Sequence, residues 1–239
     1  MSERFPVNGD VRVEAGLAAQ RILLADRIAA GAEQVGWKIG FGSPSGLALL
    51  DLGAPLMGHL LSSGNSTSDG PGDVVHVLVD DWTAPVIEAE IAAWIGTDIP
   101  PDTDPAIIDR FLAGLGPAIE LADLDHAPSD PERIVAGNIF QRAFALGSSD
   151  PNLTIEQVST LTARFRHNDE VLEITDPPAL IGDIRQVLAH AARTAPSLGR
   201  GLMAGDVILL GSIIAPRKVA PGDHCSFSLG EYPEMQIAF

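Results

Sequence analysis

The spacing of apolar residues predicts a helical N-terminal third. Residues 11–33 carry apolar side chains at helical spacing among many alanines, which predicts a first helix. A short apolar strand is expected at residues 35–41. After it, Ser43 and Pro44 are typical of a helix cap and first turn, so a second helix is expected to run to about residue 50.

From residue 73 onward the pattern predicts mostly strands. Helices are expected at residues 106–113 and 178–193, the second because its apolar residues share one face. The strands expected here cover residues 74–79, 85–95, 118–124, 140–146, 161–166, 171–174, 207–210 and 225–229, and a short strand is also expected before them at residues 57–61. We therefore expect an α+β fold: residues 1–61 form a helical region carrying the first strand, and residues 73–239 form a β-rich core. A polar loop at residues 62–72 is expected to serve as the boundary between them or as a mobile lid, and the two regions are expected to form one compact unit.

Two acidic residues interrupt the apolar strand at residues 85–95. Glu88 and Glu90 are two positions apart, so on a strand both point to the same face. Glu120 stands equally isolated in the strand at residues 118–124. Unpaired carboxylates on a buried face cost about several kcal/mol unless something neutralises them, and a divalent cation is the usual neutraliser. Oxygen ligands alone suit Mg²⁺, Mn²⁺ or Ca²⁺. The alternative is a strand whose polar face lies in water.

Lys38 lies between Trp37 and Ile39 in the first strand. Burial lowers the pKa of a lysine and nearby carboxylates raise it, so its protonation depends on what surrounds it. Beside a metal site it would donate and accept protons or bind a substrate carboxylate. The alternative is a lysine at a strand end that reaches solvent.

Composition narrows the classes of function. The formal net charge is −17, which argues against a nucleic-acid partner or an anionic membrane surface. Hydrophobic residues make up 46% of the chain and no apolar run approaches a membrane span of about 20 residues, so a compact globular protein is expected. The single cysteine, Cys225, excludes an internal disulfide and a cysteine-based zinc site. No signal peptide is recognised, and a cytoplasmic protein is expected.

Five segments occur in the order typical of one known family. They are Gly36-Trp37-Lys38-Ile39-Gly40 with Ser43-Pro44, Ile87-Glu88-Ala89-Glu90-Ile91-Ala92, Pro117-Ala118-Ile119-Glu120, Val135-Ala136-Gly137-Asn138, and the segment 202–212 with its Gly205-Asp206 turn. In these segments the chain resembles the fumarylacetoacetate hydrolase superfamily. The branch most similar to it is that of 2-keto-4-pentenoate hydratases and 4-oxalocrotonate decarboxylases.

The resemblance implies a mixed β-roll or barrel with peripheral helices, commonly assembled as a homo-oligomer. It implies that Glu88, Glu90 and Glu120 hold Mg²⁺ or Mn²⁺ and that Lys38 is the catalytic lysine. It also implies a substrate pocket lined by Asn138, Gly211, Ser212 and Ser43.

The implied activity is that of a divalent-metal-dependent lyase in the breakdown of aromatic compounds, acting on a small 2-oxo acid or its dienol. The favoured reaction is hydration of a 2-hydroxypenta-2,4-dienoate-type substrate to a 4-hydroxy-2-oxo acid. Alternatives are decarboxylation of a 2-oxo-diacid such as 4-oxalocrotonate, hydrolysis of an acylpyruvate, which needs a base for water, and a non-catalytic binding protein. The sequence departs from the family after the third glutamate, where Asp123-Leu124-Asp125-His126 replaces the usual Ser-Arg, and at Gly211-Ser212-Ile213. These departures lie at the pocket that selects the substrate.

Overall fold

The structure is a computed structural model that describes residues 5, 9–68, 70 and 72–239. The α-helices of this part are α1 (Val11–Ala29), α2 (Pro44–Leu50), α3 (Pro131–Ala136), α4 (Ile155–Val158) and α5 (Ile184–Thr194). Short 3₁₀-helices lie at Ser62–Gly64, Pro105–Phe111, Pro177–Ala179 and Ala195–Leu198. The strands are β1 (Gln34–Gly40), β2 (Leu56–Leu61), β3 (Val74–His76), β4 (Pro85–Ile95), β5 (Leu112–Asp123), β6 (Gln141–Leu146), β7 (Ala163–His167), β8 (Glu170–Ile174), β9 (Val207–Ser212), β10 (Arg217–Lys218), β11 (His224–Leu229) and β12 (Met235–Ala238).

The strands form two sheets. The first is a curled mixed sheet in the order β2-β1-β9-β4-β5-β6, with β10 beside β4, and the second has the order β3-β12-β11-β7-β8. Strand β1 runs parallel to β9, whereas β4 is antiparallel to both β9 and β5. The expected α+β fold, a mixed β-roll with peripheral helices, is confirmed.

Strand β1 is fixed against β9 by an unusually close approach and a buried polar cluster. A Cβ on Gly36 would collide with the carbonyl oxygen of Val207, so only glycine allows the two strands to lie at this distance. One residue further, the indole Nε1 of Trp37 donates to Asp206 at 2.9 Å. Arg200 binds both carboxylate oxygens of Asp206 and lies over the Trp37 ring, 5.0 Å from its centroid. This cluster fixes the strand that carries Lys38.

Helix α1 packs on α3 and closes one side of the core. It begins at the cap Asp10, whose side chain accepts from the backbone N–H of Arg12, and it buries Leu17 and Leu24. Gly16 faces α3, where a Cβ would lie 2.7 Å from the carbonyl oxygen of Glu132.

In the described part of the chain, no helix combines the length and the apolar character needed to cross a membrane.

The expected helix at residues 178–193 begins later, at Ile184. Gly182 adopts a left-handed φ of 83°, and the Asp183 side chain then caps the new helix by accepting from the N–H groups of Arg185 and Gln186. The apolar periodicity continues across this break, which explains why the sequence pattern placed the start too early.

Other boundaries also differ from expectation. The helix expected at residues 106–113 is a 3₁₀-helix ending at Phe111, followed directly by β5. Strand β5 begins at Leu112 rather than residue 118, and its added part contains Gly114 and Gly116, which lie against the backbone of residues 148–150 where a side chain would clash. Helices α3 and α4 and strands β10 and β12 were not predicted from the sequence.

Candidate active site

Three carboxylates meet on one face of the first sheet. Glu88 and Glu90 lie on β4, and Glu120 lies on β5 directly opposite Glu88 in the antiparallel register. One carboxylate oxygen from each residue lies within 4.8 Å of the other two. Glu90 and Glu120 are fully buried, and Glu88 is half-buried. The two-residue spacing read from the sequence therefore does place Glu88 and Glu90 on the same face.

Some of the oxygens of the three carboxylates lack a hydrogen-bond partner among the described residues. Glu90 Oε2 accepts the backbone N–H of Gly211 at 3.0 Å, but Glu90 Oε1 and Glu120 Oε2 are buried without a hydrogen-bond partner among the described residues. Burial and the charge of Glu120 raise the pKa of Glu88 to about 7, and burial with both neighbouring carboxylates raises the pKa of Glu90 well above its ordinary value. A buried oxygen that lacks a partner is costly, so these atoms fit an additional cation.

Lys38 places a positive charge beside the three carboxylates. Its side chain is nearly fully buried, and Nζ donates to Glu120 Oε1 at 2.5 Å and to the carbonyl oxygen of Ile139 at 3.3 Å. Burial by itself lowers the pKa of Lys38, but the charges of Glu120, Glu88 and Glu90 outweigh it and raise the pKa above the ordinary lysine value. One ammonium cannot neutralise three carboxylates, so the ionised cluster keeps an excess of negative charge.

The donor set fits a hard divalent cation. All three candidate ligands are carboxylates, and the cluster includes no histidine or cysteine. Mg²⁺, Mn²⁺ and Ca²⁺ prefer such oxygen ligands, whereas Zn²⁺ sites commonly include nitrogen or sulfur. The residues present thus fit the group that the sequence resemblance implies.

A left-handed backbone segment brings the second acceptor to Lys38. Residues 138–140 have φ angles of 60°, 52° and 63°, a region that L-residues rarely enter and that is least favourable for a β-branched residue such as Ile139. The carbonyl oxygen of Ile139 is the one that accepts from Lys38 Nζ. Strained backbone of this kind is characteristic of functional sites.

Asn138 lies behind the lysine instead of lining the cavity. Its Oδ1 accepts the N–H of His59 at 2.8 Å, and its Nδ2 donates to the carbonyl oxygen of the same residue at 3.0 Å. A Cβ on Gly58 would lie 2.6 Å from Asn138 Oδ1 and 3.1 Å from Lys38 Cγ. Asn138 is not among the residues that line the cavity, and its amide joins α3's C-terminal loop to β2; its expected role at the substrate pocket stays a prediction.

Sequence reasoning missed a buried polar residue behind this contact. Gln20 of α1 is fully buried; its Nε2 donates to the carbonyl oxygens of Val135 and Met57, and its Oε1 lies 3.4 Å from Nδ1 of His59. Burial lowers the pKa of His59 to about 4, so its imidazole is neutral at pH 7. Nothing in the local sequence distinguishes Gln20 from an exposed helix glutamine.

A cavity of about 570 Å³ opens beside the carboxylates. Lys38 and Glu88 both line it, as do three of the residues expected at a pocket, Ser43, Gly211 and Ser212. The Ser43 hydroxyl also caps α2 by accepting from the N–H of Gly46, and the Ser212 hydroxyl lies within hydrogen-bond distance of the Ala89 and Ile214 carbonyls. Gly211 has a φ of 110°, which favours glycine and directs its N–H to Glu90.

His126 packs against a residue that lines the cavity. His126 Nδ1 is 2.6 Å from Asp125, and the imidazole packs on the ring of Phe140 with centroids 4.6 Å apart. Phe140 lines the cavity and His126 does not, and none of the other described cavity residues is a histidine. The cavity therefore lacks an imidazole base in the described part of the chain.

The curled mixed sheet, the three clustered carboxylates and the buried lysine define a β-roll protein with a candidate site for a hard divalent cation. The family model described as "Fumarylacetoacetate (FAA) hydrolase C-terminal" matches residues 51–238. The chain belongs to the fumarylacetoacetate hydrolase family, and the resemblance noted in the sequence is confirmed.

Relatives of known name cover most of the chain. A 4-oxalocrotonate decarboxylase from Pseudomonas sp is 29% identical over 215 residues, which is 89% of this chain and 81% of the relative. A 2-keto-4-pentenoate hydratase from Paraburkholderia xenovorans (strain LB400) is 27% identical over 228 residues, 93% of this chain and 81% of the relative. Among solved structures, 4-oxalocrotonate decarboxylase from Pseudomonas putida G7, complexed with magnesium and adipate, superposes with a TM-score of 0.81 at 25% identity, covering 93% of this chain and 84% of that one.

Proposed function

We propose that the protein is a lyase of small 2-oxo acids that depends on Mg²⁺ or Mn²⁺, and that it hydrates a 2-hydroxypenta-2,4-dienoate-type dienol to a 4-hydroxy-2-oxo acid. The observation that carries the proposal is the juxtaposition of three carboxylates and Lys38 at a cavity large enough for such a substrate. Relatives named as hydratases and decarboxylases support the reaction class.

In this proposal Glu88, Glu90 and Glu120 hold the cation. When bound, such a cation serves as a Lewis acid that polarises the carboxylate and the 2-oxygen of a 2-oxo acid. Lys38 holds a proton on Nζ between Glu120 and the Ile139 carbonyl, and we assign to it the proton transfer from the substrate 2-hydroxyl to C5 that converts dienol to 2-oxo-enoate. The oxygen of water then adds at C4 and a proton at C3, so the product contains one more water and no oxidant is needed.

Decarboxylation of a 2-oxo-diacid is the second candidate. It is favoured by the similarity of this fold to the 4-oxalocrotonate decarboxylase from Pseudomonas putida G7, whose structure is complexed with magnesium and adipate, a diacid. The same carboxylates and lysine would serve it, with loss of carbon dioxide in place of addition of water. Acylpyruvate hydrolysis is less well supported, because no histidine lines the described cavity.

We also propose a single compact unit, because β1 and β2 share a sheet with β4 and β9 across the expected boundary at residues 62–72. A homo-oligomer in the cytoplasm, with a small-molecule substrate and with neither nucleic acid nor a membrane as partner, completes the proposal. The formal net charge of −17 is consistent with the absence of a nucleic-acid partner.

Calorimetric titration with oxalate, a mimic of the enolate of a 2-oxo acid, tests the site. We expect oxalate to bind in the presence of Mg²⁺ and not in its absence, and Glu88→Gln to weaken that binding. Asp81→Asn, which removes an exposed carboxylate, is the matched control and should bind as the unaltered protein does. Failure of oxalate to bind with Mg²⁺ would overturn the proposed site. Turnover of a dienol compared with 4-oxalocrotonate then separates the two candidate reactions.

A further inference from the structure

The cavity wall contributed by the surrounding loops and α2 is apolar. Its large side chains come from separate segments of the chain: Phe41, Leu49, Leu124, Phe140, Leu180 and Ile181. Two of them, Leu49 and Leu180, are 62% and 37% exposed. Apolar side chains left in water around a cavity are typical of a surface that a ligand covers.

This wall offers no charge to a ligand. Among the described residues that line the cavity, the charged ones are Lys38 and Glu88, and both belong to the carboxylate end. Arg142 and Arg217 lie within two residues of the cavity residues Phe140 and Pro216 but do not line the cavity themselves. Arg142 binds Asp125 at 3.1 Å, and Arg217 binds Glu170 at 2.8 Å. A carboxylate placed against the apolar wall would lose its hydration and meet no cation, which is strongly unfavourable.

The cavity is also larger than the smallest substrate of the proposed reaction requires. At about 30 Å³ for a water-sized group, about 570 Å³ has room for roughly nineteen such groups, whereas 2-hydroxypenta-2,4-dienoate has about eight non-hydrogen atoms. A cation and a few waters account for part of the difference. The remainder lies beside the apolar wall and has room for a substituent of several carbon atoms.

We propose that the substrate is a monoanionic 2-oxo acid, or its dienol, with an uncharged apolar tail longer than a methyl group, and that the wall at Phe41, Leu49, Leu124 and Leu180 discriminates against a second carboxylate. This inference rests on the proposed function, because it assumes that the 2-oxo acid end lies at the three glutamates. Within that function it favours hydration over decarboxylation of a diacid.

A matched set of 2-oxo acids tests the inference by calorimetry in saturating Mg²⁺. 2-Oxohexanoate and 2-oxohexanedioate have the same chain length and differ in whether the far end is a methyl or a carboxylate. We expect the monoacid to bind at least tenfold more tightly than the diacid, and about tenfold more tightly than 2-oxobutanoate, which lacks two methylenes. A diacid that binds as tightly as the monoacid, or an affinity that does not rise with tail length, would overturn the inference.

Oxalate separates this failure from failure of the proposed function. If oxalate binds with Mg²⁺ while the diacid is preferred, only the substrate inference is wrong. If neither oxalate nor any 2-oxo acid binds, the proposed function fails and the inference with it. A gain-of-function variant provides a second test: Leu180→Lys should improve the affinity for the diacid relative to the monoacid by at least fivefold, whereas Leu180→Met should leave the ratio unchanged. An unchanged ratio in Leu180→Lys would contradict the placement of the tail against Leu180.

Discussion

The ammonium nitrogen of Lys38 lies 2.5 Å from Oε1 of Glu120, in a part of the molecule where both side chains are almost completely shielded from water. A buried pair of this kind stabilises a fold only when the remaining lone pairs also find partners, and here the second oxygen of Glu120 has none among the described residues. The pair therefore leaves a buried carboxylate oxygen of Glu120 without a hydrogen-bond partner.

Glu90→Gln should have opposite effects in the absence and presence of metal. Without Mg²⁺, loss of one of three repelling carboxylates should raise the melting temperature by about 2–4 °C, equivalent to about 1 kcal/mol. With saturating Mg²⁺, the increase in melting temperature shown by the unaltered protein should be lost, because a ligand that binds the folded state stabilises it. Thermal unfolding with and without Mg²⁺ measures both effects. Glu231→Gln, at an exposed position, is the control, and an equal Mg²⁺ response in both variants would exclude Glu90 as a ligand.

Lys38→Met should separate metal binding from turnover. Removal of the ammonium should lower turnover of the dienol by about 10²–10⁴-fold, the usual contribution of a positioned proton donor or acceptor. Because a positive charge next to the carboxylates is lost, calorimetric affinity for Mg²⁺ should not decrease. Without metal, Glu120 loses its partner and the free energy of unfolding should fall by about 3–5 kcal/mol. Turnover at the rate of the unaltered protein would show that Lys38 has no part in the chemistry.

Gly58→Ala should impair the site although the added methyl group is remote from the carboxylates. The new Cβ would lie 2.6 Å from Asn138 Oδ1 and 3.1 Å from Lys38 Cγ, so the asparagine or the lysine must move. We expect a loss of about 1–3 kcal/mol in the free energy of unfolding, as for overpacked cores, together with lower turnover. Gly201→Ala is the matched control, since nothing lies within 4 Å of its Cβ position. Denaturant unfolding and steady-state kinetics on both variants provide the comparison, and equal behaviour would contradict the close packing described here.

Stability should fall in acid partly because of His190. Burial lowers the pKa of this helix α5 residue to about 4, whereas an unfolded histidine titrates near 6.5. The unfolded chain therefore binds the proton first, so the stabilisation is complete above about pH 6.5 and is lost as the pH falls toward 4. The full effect of this residue is about 3 kcal/mol. His190→Gln should flatten the pH dependence of the free energy of unfolding between pH 7 and 4, and His76→Gln, at an exposed position, should not. His59 contributes in the same direction, so some dependence should remain.

The parts of the site that depend on strand periodicity could be predicted from the sequence. Glu88 and Glu90 share a face because side chains alternate along a strand, and the capping role of Ser43 follows from its position before Pro44. The family resemblance added the fold and the pairing of these residues with Glu120 and Lys38. That these residues hold a metal and perform the chemistry stays a prediction.

The parts that depend on long-range packing could not be predicted. The left-handed segment at residues 138–140 has no glycine or proline to mark it, and its geometry exists because α3 and β2 hold it from both sides. For the same reason the two hydrogen bonds from the Asn138 amide to the backbone of His59 could not be foreseen. Gly182 and Asp183 do carry a local signal for the start of α5, but the apolar periodicity on both sides outweighed it in the prediction.

The hydrogen bond between Trp37 and Asp206 joins positions 169 residues apart, so the two segments that it connects are synthesised at different times. At a translation rate of about 5–20 residues per second, roughly 10–30 s separate synthesis of the lysine strand from synthesis of the strand that pairs with it. Until β9 has left the ribosome, β1 has no parallel neighbour and Lys38 has no fixed place beside Glu120. The proposed cation site also takes the Gly211 N–H on Glu90 from β9, so we expect nascent chains that end before β9 to bind a divalent cation more weakly than the full chain.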